Sequence, residues 1–121
     1  MAITIESANH LRRLRPGAAL TALGDPTRAH IVELLAERPH TATEIHRHFP
    51  IAAPAVSRHL RVLKASGLIE EHRPTLDRRV RLYTLQSHAL RDLVGWLDGI
   101  SRLWEAQLEE IREMSEMTRP L

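Results

Sequence analysis

Residues 54 to 67 constrain the fold more tightly than any other stretch, because a proline opens them and a glycine closes them. Pro54 suits the first helical position, where its missing N–H is no loss, and Gly67 suits the left-handed residue just past a helix end. The helix between them is well bounded. Val56, Leu60 and Leu63 recur at spacings of four and three and share one buried face, while Ser57, Arg58, Arg61 and Lys64 point elsewhere. That polar side carries donors and no carboxylate. It fits the major groove of duplex DNA, where arginine can donate twice to guanine and serine or lysine can hold a phosphate. His59, beside Arg58, is a further donor, stronger when protonated. A plain solvated helix face explains the same residues, so the flanks decide.

Upstream, Thr41 and Glu44 stand in the spacing of a capping box, which predicts a helix starting at Thr41 with Ala42, Ile45 and Phe49 inward and Pro50 as its stop. Two helices joined by so short a turn form a helix-turn-helix. Downstream, Leu68, Ile69, Val80, Leu82 and Leu85 fall in two extended runs separated by Pro74–Asp77, which has turn chemistry. This predicts a two-stranded wing. Arg73, Arg78, Arg79 and Arg81 cluster near its tip, where phosphate or minor-groove contact explains so many like charges.

A chain of 121 residues fits one compact domain, mainly α with a two-stranded β-wing. The expected parts are an arm over 1–15, a winged core over 16–86 and a dimerisation helix over 87–121. With no cysteine, disulfides, thiolate metal sites and thiol switching are excluded. The N-terminus lacks a signal-like pattern and no stretch approaches the ~20 apolar residues of a membrane span, so a cytoplasmic protein without membrane contact is expected. Charge is segregated: residues 1–86 hold 13 Lys+Arg against 8 Asp+Glu, and residues 87–121 hold 4 against 7. Aromatics make up 3%, too few for a single-strand or RNA stacking platform, which favours double-stranded DNA as the partner.

In the arm, Arg12, Arg13 and Arg15 precede Pro16, either as DNA contacts or as simply solvated charges. A short helix is expected over Pro16–Leu23, with Leu20 and Leu23 inward and Gly24 as its stop. Asp25-Pro26 then gives an N-cap and a proline start for a helix burying Ile31, Leu34 and Leu35. Arg28 opposes that helix's dipole, so a carboxylate or phosphate partner is expected for it. From Ser87, an expected N-cap, to about Met117 there is no proline, which predicts one helix of roughly 45 Å at about 1.5 Å per residue. Leu90, Leu93, Leu97, Ile100, Trp104, Ile111 and Met114 alternate spacings of three and four along it, with Leu108 beside the interrupted heptad position at Gln107. These residues form an expected dimer seam. Trp96, Leu103 and Val94 widen the stripe, and Gly95 and Gly99 mark expected points of close helix approach.

Two stretches, Ala22-Leu-Gly-Asp-Pro-Thr-Arg-Ala-His-Ile-Val-Glu-Leu-Leu35 and Pro54-Ala-Val-Ser-Arg-His-Leu-Arg-Val-Leu-Lys-Ala-Ser-Gly-Leu-Ile69, closely resemble the ArsR-type winged-helix repressors. The likeness covers about residues 18 to 115. It implies a homodimeric transcriptional repressor on an imperfect inverted-repeat operator, with the helix matching 54–66 in the major groove and the wing matching 68–85 on flanking DNA. The family's thiolate metal box would fall on Pro39–Ile45, where Thr41 and Thr43 replace both cysteines. Its other common metal site, anchored on His88, would use Gln86, Gly99 and Arg102, leaving one ligand of four. No cofactor or metal is therefore expected, and an effector, if there is one, is of unidentified chemistry.

His88 and Asp92 share a helix face as a two-ligand start or an ordinary surface pair, whereas His46 and His48 face different ways and read as solvated. No nucleophile with base, phosphate loop or His-Glu-x-x-His motif supports an enzyme. The competing reading is a winged-helix protein-interaction module whose residues 90–114 dock a partner helix instead of a second copy.

Overall fold

The computed structural model describes residues 6, 7, 9, 11 and 16–118. Arg12, Arg13 and Arg15 lie outside the described residues. After α1 (Gly17–Leu23) comes α2 (Pro26–Glu37), whose N-cap Asp25 accepts a hydrogen bond from the Arg28 N–H at 3.0 Å. Helix α3 (Ala42–His46) starts with a complete capping box: the Thr41 hydroxyl accepts from Glu44 N at 3.2 Å and the Glu44 carboxylate accepts from Thr41 N at 3.1 Å. That N–H, with the Arg38 guanidinium at 3.0 Å, holds the Glu44 carboxyl down at about 2. Phe49 lies past this short helix rather than within it, because the His48 and Phe49 N–H groups reach back only three residues, yet it still packs on the core.

Helix α4 (Ala53–Ala65) begins one residue earlier than the proline suggests, which places Pro54 second; the N–H is an orphan there too. Ala52 supplies no side-chain cap. At the other end Gly67 takes φ of 78°, its N–H reaches Lys64 O at 3.1 Å, and the Leu68 N–H reaches Leu63 O at 3.2 Å. This is a Schellman closure, in which a glycine avoids the left-handed penalty.

Strands β2 (Ile69–His72) and β3 (Leu82–Leu85) pair antiparallel from Ile69↔Leu85 to His72↔Leu82. These two strands are the expected wing, and among the described residues the sheet they belong to has three strands. A third, β1 (His40–Thr41), adds to the far side of β3 in the order β1-β3-β2, with His40 opposite Tyr83. Two residues are too few to show alternation, and only the pairing reveals them as a strand. Leu68 and Val80 lie outside the strands, and residues 73–81 form the wing loop.

Ala19, Ala22, Ile31, Leu35, Ile45, Val56, Leu60, Leu63, Leu68, Ile69 and Tyr83 build the core. In α1 the buried residues are Ala19 and Ala22, while Leu20 is 43% exposed and Leu23 packs at the edge. Small side chains three apart let that helix approach its neighbours closely.

The chain divides into two compact units, Pro16–Arg91 and a second formed by Asp92 onward with the described residues before Pro16. The division falls inside α5 (Ser87–Met117), since Ala89 and Leu90 in its first turn pack on the core. The Ser87 hydroxyl accepts from Arg91 at 2.8 Å. In the second unit Gly99 lies against Leu11, so a Cβ there would collide with the leucine side chain. Among the described residues no helix is long and apolar enough to cross a membrane.

Candidate nucleic-acid interface

Helix α4 is positioned by its apolar stripe: Val56, Leu60 and Leu63 are buried, which turns Arg58 and Arg61 to solvent. Neither arginine makes a side-chain hydrogen bond or ion pair among the described residues. Their donors are available to a ligand. Ser57 lies half-buried beside them and Pro54 is exposed at the helix start.

His59 has a different surrounding. Its side chain is 20% exposed and Nδ1 sits 4.0 Å from Asp25 Oδ1 and 3.4 Å from Arg28 Nη1. The expectation of a DNA-facing donor meets a ring turned toward the N-terminus of α2. Arg28, expected to find a carboxylate or phosphate, donates through Nε to the Ala22 carbonyl at 2.8 Å, the favourable end of the α1 dipole. The Asp25 carboxyl is held below its ordinary range chiefly by the Arg28 N–H, with the charges of His59 and Arg28 assisting.

The wing cations are unequal. Arg79 is clamped on Asp77, Nε to Oδ1 at 3.1 Å and Nη2 to Oδ2 at 3.2 Å. Arg73 donates to the Arg78 carbonyl at 2.8 Å, whereas the Arg78 side chain has no partner among the described residues. The turn itself is closed by Thr75 Oγ1 accepting from Asp77 N at 3.2 Å and by Asp77 Oδ1 accepting from Arg79 N at 3.0 Å.

Sequence reasoning missed Glu71. Its carboxylate accepts from Lys64 Nζ at 3.1 Å and from the Tyr83 hydroxyl at 2.9 Å, with Arg73 at 3.9 Å and Arg81 at 4.0 Å. The side chain is only 14% exposed. Burial alone would push its carboxyl up, but the Tyr83 hydrogen bond and the neighbouring cations win and hold it below the usual range. Burial and donation to Glu71 push the Tyr83 hydroxyl up to about 12. The signal available in the sequence was the alternation in β2: Ile69 faces inward, so Glu71 must as well.

Residues 53–85 carry seven Lys and Arg against three carboxylates, and a groove between α4 and the wing is lined by Ser57, Arg61, Lys64, Glu71 and Arg81. An excess of cations on the exposed face of a helix and an adjoining loop attracts a phosphate backbone. Other histidines serve the fold. His46, expected as solvated, bonds the Ile51 carbonyl through Nε2 at 2.9 Å and pins the turn, and buried His40 bonds the Arg38 carbonyl through Nδ1 at 2.8 Å. Among the described residues no three His, Asp or Glu side chains are grouped to hold a metal ion.

The α5 seam residues also separate. Leu97, Ile100, Trp104 and Ile111 are 41 to 53% exposed, Leu93 and Leu108 are half-buried, and Leu90 packs on the core of the first unit.

Comparison with known proteins matches residues 25–71 to the family described as bacterial regulatory protein, arsR family. The transcriptional repressor SdpR of Bacillus subtilis is 37% identical over 76 residues, 63% of this chain and 81% of that protein. The HTH-type transcriptional regulator Rv2034 of Mycobacterium tuberculosis is 43% identical over 93 residues, 77% of this chain and 81% of that protein. A solved structure of the ArsR family transcriptional regulator RHA00566 superposes with a TM-score of 0.67 at 30% identity, covering 87% of this chain and 97% of that one.

Proposed function

This chain belongs to the arsR family of bacterial regulatory proteins and is a DNA-binding transcriptional regulator, not an enzyme, and on that premise we propose that it acts as a homodimeric repressor. Helix α4 enters the major groove, where Arg58 and Arg61 read base edges with Ser57 beside them. Lys64, Arg73, Arg78, Arg79 and Arg81 meet the phosphate backbone. Leu93, Leu97, Ile100, Trp104, Leu108 and Ile111 form the seam between two copies. The observation that carries the reading is the pair Arg58 and Arg61, exposed and unpartnered among the described residues opposite a buried stripe. Repression is supported by the likeness to the transcriptional repressor SdpR. With no cysteine in the chain, release from DNA works without thiolate chemistry.

Selection of bound duplexes from a random pool should return an inverted repeat with half-sites about one helical turn apart, ~34–36 Å. Arg58→Ala or Arg61→Ala should then weaken binding to that duplex about tenfold while dimer and melting temperature stay intact. Unchanged binding in both variants rejects α4 as the reader. The exposed α5 face also suits a partner helix. A monomer at micromolar concentration without salt-dependent duplex binding would favour that docking reading.

A further inference from the structure

We propose that Glu71 is a positioning residue for DNA recognition, tying the reading helix to the wing so that both meet one duplex in a fixed geometry. The proposal rests on the reading that α4 and the wing both contact DNA.

The tie starts in the sheet. Glu71 lies opposite Tyr83 in the β2–β3 ladder, and Tyr83 is 3% exposed, so its hydroxyl has a fixed place. That hydroxyl donates to Oε1 at 2.9 Å and orients the carboxylate. The other oxygen, Oε2, accepts from Lys64 in α4 at 3.1 Å and lies 3.9 Å from Arg73. Arg81 approaches Oε1 at 4.0 Å from the returning side of the wing loop. One anion therefore gathers three cations from both recognition elements. With only 14% of its side chain exposed, it is screened less by salt than the open Arg79–Asp77 pair, whose side chains are 91% and 44% exposed.

A carboxylate on this surface repels phosphate, so its two effects on DNA binding have opposite signs. Sequence-independent binding depends on net cationic charge and is weakened by Glu71. Sequence-specific binding depends on holding α4 and wing in register with one duplex and is strengthened by it.

The test uses the full chain, with a duplex selected by it and a scrambled duplex of equal length. In Glu71→Gln, binding to the scrambled duplex should tighten about twofold and its salt dependence steepen by about one unit. Binding to the selected duplex should weaken about tenfold. A parallel tightening on both duplexes, or no change on either, overturns the proposal and leaves a screening charge. Lys64→Gln cuts the tie at an exposed residue, which keeps the test open if Glu71→Gln does not fold. Greater weakening on the selected duplex than on the scrambled one supports the tie, and equal weakening marks Lys64 as a phosphate contact alone and overturns it. Should the unaltered chain bind both duplexes equally, sequence reading itself fails and the proposal falls with it. A large ratio in the unaltered chain with parallel shifts in the variants defeats only the Glu71 tie.

Discussion

Helices α4 and α5 carry the same kind of pattern, apolar residues three and four apart with charges opposite, and meet opposite fates. Val56, Leu60 and Leu63 of α4 are all buried, whereas α5 has no buried residue over its 31 positions. The difference teaches that amphipathicity specifies a face to be covered and leaves open what covers it. For α4 the cover is the chain's own core. Along α5 a row including Leu97, Ile100, Trp104 and Ile111 stands exposed, with nothing in the chain's own core to cover it.

That contrast can be broken by truncating one residue on each helix. Leu63→Ala, at a side chain with 0% exposure, should lower folding stability by about 3 kcal/mol at any protein concentration, read by denaturant unfolding. Trp104→Ala should instead weaken the proposed dimer by about 2 kcal/mol, roughly 30-fold, read by sedimentation equilibrium. Loss of stability that does not depend on concentration in Trp104→Ala would erase the distinction and make the face part of an intramolecular core.

Smaller changes sharpen the comparison within the unit that holds α4. Gly67→Ala should cost about 1 kcal/mol, read by thermal melting, because φ of 78° disfavours any side chain. The added Cβ would meet Ala89 at 3.7 Å, an ordinary contact, so backbone conformation alone sets the loss. The smallest effect is expected at Glu44, whose carboxyl is lowered from 4.5 to about 2. A depressed carboxyl contributes stability above its unfolded value and loses it as pH falls through the folded one. Melting temperatures should therefore fall slightly from pH 4.5 toward about 2, and Glu44→Gln should remove that part of the slope.

Much of the fold was legible because its signals are local. Asp25-Pro26, the Thr41 and Glu44 box and Gly67 each act within four residues of themselves, and each marks a boundary in the structure. The misreadings share the opposite property. Strand β1 exists only through pairing with residues some forty positions later, and His59 turns toward Asp25 and Arg28 because α2 packs beside α4. In α1 the larger Leu20 looked like the inward residue, yet close packing of that helix chose Ala19 and Ala22.

The cations proposed to meet DNA divide along the same line. Sequence alone determined that residues 53–85 carry an excess of Lys and Arg on a helix and a hairpin, because spacing along a helix or strand sets which side chains share a face. Only the tertiary structure decided which of them are free: the side chains of Arg58, Arg61 and Arg78 have no partner among the described residues, while Lys64, Arg73 and Arg81 converge on Glu71 and Arg79 on Asp77. The physical reason is distance. An ion pair forms where chain reversal brings charges within a few ångströms, and it was the register of β2 against β3, with α4 packed alongside, that brought Lys64, Glu71 and Tyr83 together.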